Sequence, residues 1–218
     1  MKLFLLLFLI ISVPLANAQI VQTLPYEFVV GISGGSTFSS VTFNPKVVQG
    51  TINGLTFGLI GRMTMAENVG LQIELNYAEE GWAEKFEEQP EYRYERRLRY
   101  LQFPFYTRVQ FGGRTVKAFV NAGPQIGYML SEATDENLNG EAPGKVNAQH
   151  DMKVSNRFDW GLSGGAGVEL RTSVGYFTIE GRYLYALGDI YSTSRADYFS
   201  KASAQTITAK VAYLFVIH

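Results

Sequence analysis

Apolar and polar positions alternate with a period of two through eight successive runs of this chain, the pattern of strands with one apolar and one polar face. One run sets Phe177, Ile179, Gly181, Tyr183, Tyr185 and Leu187 against Thr178, Glu180, Arg182 and Ala186, with Leu184 as an exception. The last run sets Ile207, Ala209, Val211, Tyr213, Phe215 and Ile217 against Thr206, Thr208, Lys210 and Ala212. The third opposes Val69, Leu71, Ile73, Leu75 and Tyr77 to Gln72, Glu74 and Asn76. In the sixth, Trp160, Leu162, Ala166, Val168 and Leu170 oppose Ser163, Gly165, Gly167 and Glu169. The other four centre on residues 28–35, 55–63, 101–111 and 120–128, and Ile60 breaks the polar face of the second. No segment with a helical period competes.

The joins between runs alternate in length. Short ones fall at Ala66-Glu67-Asn68, Gly112-Gly113-Arg114 and Arg171-Thr172-Ser173; long polar ones span roughly 38–53, 79–95, 131–156 and 189–202. In an up-and-down sheet all the short joins lie at one end and all the long ones at the other, an asymmetry of outer-membrane barrels. The expected fold is all-β, an eight-stranded antiparallel up-and-down transmembrane β-barrel. Both termini and the turns face the periplasm, and the long loops face outward.

Alternation alone leaves open whether the apolar face meets lipid or a soluble core. The polar face decides. A water-facing surface is about a quarter to a third charged, whereas this face is Gly, Ser, Thr, Asn and Gln with about one charge per strand. Small residues suit the inside of a narrow eight-stranded barrel, which side chains just fill. Arg62, Arg108, Arg182 and Lys210 would each cost roughly 2–4 kcal/mol at the bilayer midplane. They share the polar face with Glu74, Glu169 and Glu180, which predicts a lumenal charge network of these seven residues. Aromatic residues toward both strand ends suit interfacial girdles. Pro104 and Pro124 lie mid-strand and each removes a ladder donor, which predicts a bulge where the fourth and fifth runs meet.

Length fits this picture. Residues 1–18 read as a cleaved signal: Lys2, an apolar stretch to Val13, and Ala16-Asn17-Ala18. The remaining 19–218 form one barrel domain, too short for a wide pore. The chain has no Cys, which excludes a lipid anchor and disulfides. A net charge of −1 without a basic tract makes nucleic acid an unsuitable partner.

Four stretches resemble a known family. Tyr100-Leu-Gln-Phe-Pro-Phe-Tyr-Thr-Arg-Val, Ala122-Gly-Pro-Gln-Ile-Gly-Tyr, Phe158-Asp-Trp-Gly-Leu-Ser-Gly-Gly-Ala-Gly-Val-Glu and Gly181-Arg-Tyr-Leu-Tyr-Ala-Leu-Gly-Asp-Ile are similar, in that order, to the PorT-like outer-membrane β-barrel proteins of Bacteroidetes. The resemblance covers nearly all of the chain after the signal except the loops, and both prolines belong to it. It implies an outer-membrane barrel in this orientation and carries no defined activity. The end Tyr213-Leu-Phe-Val-Ile-His resembles the aromatic terminal strand read by barrel-insertion machinery, although it closes on Ile217-His218 instead of Phe.

Candidate chemistry is sparse. His150-Asp151 is the one His–acid neighbourhood, and a long loop is a poor place for preorganised catalysis. Phosphate loops, serine-hydrolase elbows and spaced His clusters are missing. The expectation is therefore no enzymatic turnover, no cofactor, no metal, and a structural or interaction role in outer-membrane lipid. The acidic-aromatic stretch 79–97 supplies a candidate loop surface for a protein partner in Trp82, Phe86, Tyr92 and Tyr94, since loops carry function on rigid scaffolds. Its second half still alternates, so the third and fourth runs extend as a hairpin beyond the membrane. A narrow channel for small solutes and an accessory barrel of a secretion system remain as alternatives.

Overall fold

A computed structural model describes residues 27–44, 49–86, 91–140, 150, 152–191 and 201–217. The signal segment and Asp151 lie outside these. The described residues form eight long strands: β1 (Glu27–Asn44), β3 (Ile52–Ala66), β4 (Val69–Glu84), β5 (Arg93–Gly112), β6 (Val116–Asn137), β7 (Phe158–Thr172), β8 (Gly175–Ala186) and β9 (Lys201–Ile217). The two-residue β2 (Gln49–Gly50) pairs with the end of β4. Each long strand pairs antiparallel with its sequence neighbours, and β1 pairs with β9 along 28–44 against 217–201. This seam closes the ring, so the spanning part of the sheet keeps no edge.

Parity sets which side each residue faces. Phe57, Leu59, Ile73, Phe103, Phe105, Ile126, Leu162, Ile179, Ile207 and Val211 point outward and are exposed, making an apolar belt around the wall. Their strand neighbours, among them Thr56, Gln72, Glu74, Arg108, Asn121, Ser163, Glu180 and Lys210, are buried inside. Only a surrounding apolar medium reconciles an exposed hydrophobic wall with a buried polar centre. Ile60, the residue that broke the polar face, packs with Val29, Ala212 and Leu214 in a small apolar patch within the lumen. Leu184 is buried too.

The prolines act differently from the expected bulge. Between β4 and β5 the ladder is interrupted from Ile73↔Phe105 to Asn76↔Gln102, beside Pro104. Between β5 and β6 it is interrupted from Pro104↔Gln125 to Thr107↔Ala122, beside Pro124. The register is the same on both sides of each gap, so each proline removes pairs without adding a residue. The bulge lies higher, between Arg99 and Tyr100, where Leu130 is the extra residue on β6. The extension beyond the belt is also larger than a hairpin, because β6 continues beside β5 to Asn137. Three adjacent strands project here, β4, β5 and β6, and the β1–β9 pair runs on to Asn44↔Lys201.

Candidate functional site

All seven expected charged residues meet in the lumen, in two clusters. Near mid-barrel Glu74 of β4 accepts from Arg182 of β8 at 2.9 Å (Nη1) and 2.8 Å (Nη2), and from Lys210 Nζ of β9 at 2.6 Å. Gln72 and Asn76 donate to the same carboxylate at 2.6 and 2.9 Å. Arg182 also donates to Glu180 at 3.0 Å through Nε and Nη2, and Asn121 donates to Glu180 at 3.1 Å. The Arg182 guanidinium lies 4.5 Å from the centre of the Tyr106 ring.

Toward the turn end Glu169 of β7 accepts from Arg62 and from Arg108, the latter at 2.9 Å. Arg108 sits 3.5 Å over the Phe119 ring, a cation–π contact strengthened by desolvation. Its Nη1 donates to Gln72 at 3.3 Å, and Gln72 in turn bonds Glu74, so the two clusters are continuous. Two members went unnoticed in the sequence. Arg171 donates to Glu169 at 2.8 Å and lies 3.3 Å from Glu27. Arg171 has the same parity as Glu169, which is the signal that finds it; its assignment to the short join at 171–173 hid it, whereas it lies within β7.

These side chains cross the bore. An enclosed polar cavity between Glu80, Gln102, Gln125, Arg182 and Lys210 leaves about 10 Å³, roughly the room for one water. Two larger cavities, of about 440 and 550 Å³, are apolar grooves on the outer wall flanking Ile32. They face the lipid side.

The loop end carries a second core. Trp82, Tyr94, Leu98, Tyr100, Met129, Val154, Ile190 and Tyr191 are buried together with Phe43. Trp82 and Tyr94 are 0 % exposed, so these two do not present the loop surface expected of them. Their even numbers give them the inward parity of Glu80 and Arg96. Phe86 is partly buried against the cluster and touches the Tyr92 ring edge-on at 5.7 Å. Arg96 reaches across to the Met152 carbonyl at 2.6 Å, the Tyr191 hydroxyl at 3.0 Å and Glu132 at 2.6 Å. His150 meets Glu84 at 2.9 Å and stacks on Tyr94 with ring centres 3.9 Å apart; Asp151, its neighbour in the expected His–acid pair, lies outside the described residues. Strand ends and long loops are thus welded into a cap over the barrel mouth.

Burial pushes the Tyr94 hydroxyl above its ordinary value, against the downward pull of Arg96; Tyr191 is raised for the same reason. A raised tyrosine favours the closed cap fully while the free phenol, with its ordinary value near 10, is still protonated. That contribution falls as pH climbs through the raised value. Above about pH 10 the cap is expected to loosen before the barrel, seen as a red shift of Trp82 fluorescence in a Trp160→Phe background. A simultaneous loss of cap and barrel would count against it.

A family model described as outer membrane protein beta-barrel domain matches residues 17–192. No curated protein matches the chain in sequence. Among solved structures it resembles Ail, the attachment invasion locus protein of Yersinia pestis, in complex with sucrose octasulfate, at 15% identity and TM-score 0.40 over 87% of this chain and 99% of that one. Neisserial surface protein A is similar at 14% identity and TM-score 0.44, over 86% and 97%. The outer membrane enzyme PagL is similar at 10% identity and TM-score 0.41, over 85% and 99%. The last corrects the expectation of no turnover, since PagL is an outer membrane enzyme.

Proposed function

This chain belongs to the outer membrane protein beta-barrel domain family, and from that premise we propose that it is a closed surface barrel whose rigid cap and projecting sheet serve to contact a partner. It is an integral barrel of the bacterial outer membrane, seated in lipid through its apolar belt. The observation that carries the reading is the bore itself, crossed by the Glu74 and Glu169 clusters, with room for about one water in the polar cavity beside Glu80 and Gln102. Charges held in a low-dielectric interior by several hydrogen bonds each are costly to pull apart. Such a lumen acts as a rigid strut. The four PorT-like stretches support a narrower placement among the PorT-like barrels, with a cleaved signal at 1–18 and the aromatic last strand as the handle for barrel-insertion machinery.

Planar-bilayer recording tests it. The purified barrel is expected to give no stable conductance steps up to voltages at which the bilayer breaks. Reproducible unitary steps would replace the strut with the narrow-channel reading.

A further inference from the structure

The sheet that projects beyond the belt has two lateral edges, and they differ. On one side β2 covers the end of β4, pairing Gln49↔Glu84 and Gly50↔Ala83. On the other, β7 leaves β6 after Tyr128↔Phe158. The chain before Phe158 is drawn instead toward the β8–β9 join, where the Ser155 and Asn156 amides donate to the Ile190 carbonyl at 3.1 and 3.3 Å. Beyond that point β6 is held by β5 alone, from Ser131↔Arg99 up to Asn137↔Arg93. Every residue from 132 to 137 is exposed. Among the described residues no other backbone hydrogen bond reaches this stretch. A strand held on one side presents a row of unpaired N–H and C=O groups on the other, here over a length of roughly 23 Å at 3.3 Å per residue.

We propose that this edge of β6, residues 131–137, is a docking site for an extended basic segment of a partner protein, which adds to the sheet as a further strand. The inference rests on the contact role proposed above and names its partner class. Backbone pairing supplies affinity in such strand addition, and side chains at alternate positions supply selectivity. The edge carries Glu132, Asp135 and Glu136 and no basic residue. Arg96 and Arg93 of β5 offset the first two, at 2.6 and 3.1 Å; Glu136 has no basic partner among the described residues. A second copy of this chain would set acid against acid, and like charges facing across a strand pair are destabilising. Lys or Arg at alternate positions of an incoming strand would meet Glu132 and Glu136, which share one face, while Asp135 adds its charge from the other. The bulge at Leu130 separates this segment from the lipid-facing part of β6 and re-aims it.

The test uses the full chain folded in detergent micelles and three peptides of about the edge's length: alternating Lys-Val, the same peptide N-methylated along one edge, and alternating Glu-Val. Amide hydrogen exchange is read residue by residue. The Lys-Val peptide is expected to slow exchange within 131–137 several-fold, and the other two to leave it unchanged. Asp135→Lys with Glu136→Lys should abolish the effect while keeping heat-modifiable gel mobility. Three results overturn the proposal: no slowing at saturating Lys-Val peptide, equal slowing by the methylated form, or amides at 131–137 already protected in the free protein. Silent bilayer recordings beside unchanged exchange would sink the edge alone; conductance steps would sink the strut reading and leave the exchange result standing.

Discussion

Replacing Glu74 by Leu is expected to destabilise the folded barrel by about 3–5 kcal/mol. The carboxylate holds five hydrogen-bond donations, two from Arg182 and one each from Lys210, Gln72 and Asn76. Without it Arg182 keeps Glu180 as its one carboxylate beside the Tyr106 ring, and Lys210 keeps the Asn76 side-chain oxygen, Oδ1, at 3.1 Å. Two cations are then left beside a single carboxylate in a space that water enters poorly. The loss comes less from the missing attraction than from the charges left behind. Urea unfolding in detergent or a fall in the temperature at which the folded gel band disappears reads the effect. Arg93→Leu, half-exposed at the loop end with side-chain exposure of 58 %, should cost under about 1 kcal/mol by the same assay. Equal effects at the two sites would show that the lumen is wet.

The second large effect concerns space. Gly167 of β7 lies where a Cβ would sit 2.2 Å from the Ile179 carbonyl oxygen of β8 and 2.5 Å from the Phe119 ring. The ring can turn, at the cost of its contact with Arg108, but the β8 backbone cannot retreat without opening the β7–β8 ladder. Gly167→Val should therefore prevent folding, or cost more than the roughly 1–3 kcal/mol of ordinary overpacking, with no heat-modifiable band recovered. Gly181→Val is the control. A Cβ there meets nothing within 4 Å and the position faces lipid, so the variant should fold and keep its stability. A folded Gly167→Val barrel would mean that β7 and β8 sit further apart than described.

Much of this architecture was legible because one rule, parity, governs a barrel wall. The rule assigns Arg62, Glu74, Arg108, Glu169, Glu180, Arg182 and Lys210 to one side, and closure brings one side together. The same rule, followed past the membrane, places Trp82 and Tyr94 with Glu80 and Arg96 inside; reading the acidic-aromatic stretch as a loop discarded it too early. What parity cannot reach is contact between loops. His150 finds Glu84, 66 residues away, and Arg96 finds the Met152 carbonyl, because long connections fold back over the mouth, and no periodicity records where a connection returns. The prolines were misjudged for a related reason. A missing donor implies a gap in pairing, and a bulge needs an added residue; here the two fall at different heights of β5 and β6.

The charge clusters also constrain how the barrel is made. Glu74 depends on partners 108 and 136 residues further along the chain, and Arg62 on one 107 residues away. Arg62, Arg108 and Lys210 find a carboxylate only across the ring, so no half of the chain completes the network by itself. An open sheet lying in the bilayer would expose them to hydrocarbon one strand at a time. Entry into the membrane must therefore coincide with curling of the whole sheet, and the β1–β9 seam can close only around a lumen whose ion pairs are already forming. In this molecule insertion and folding are a single event.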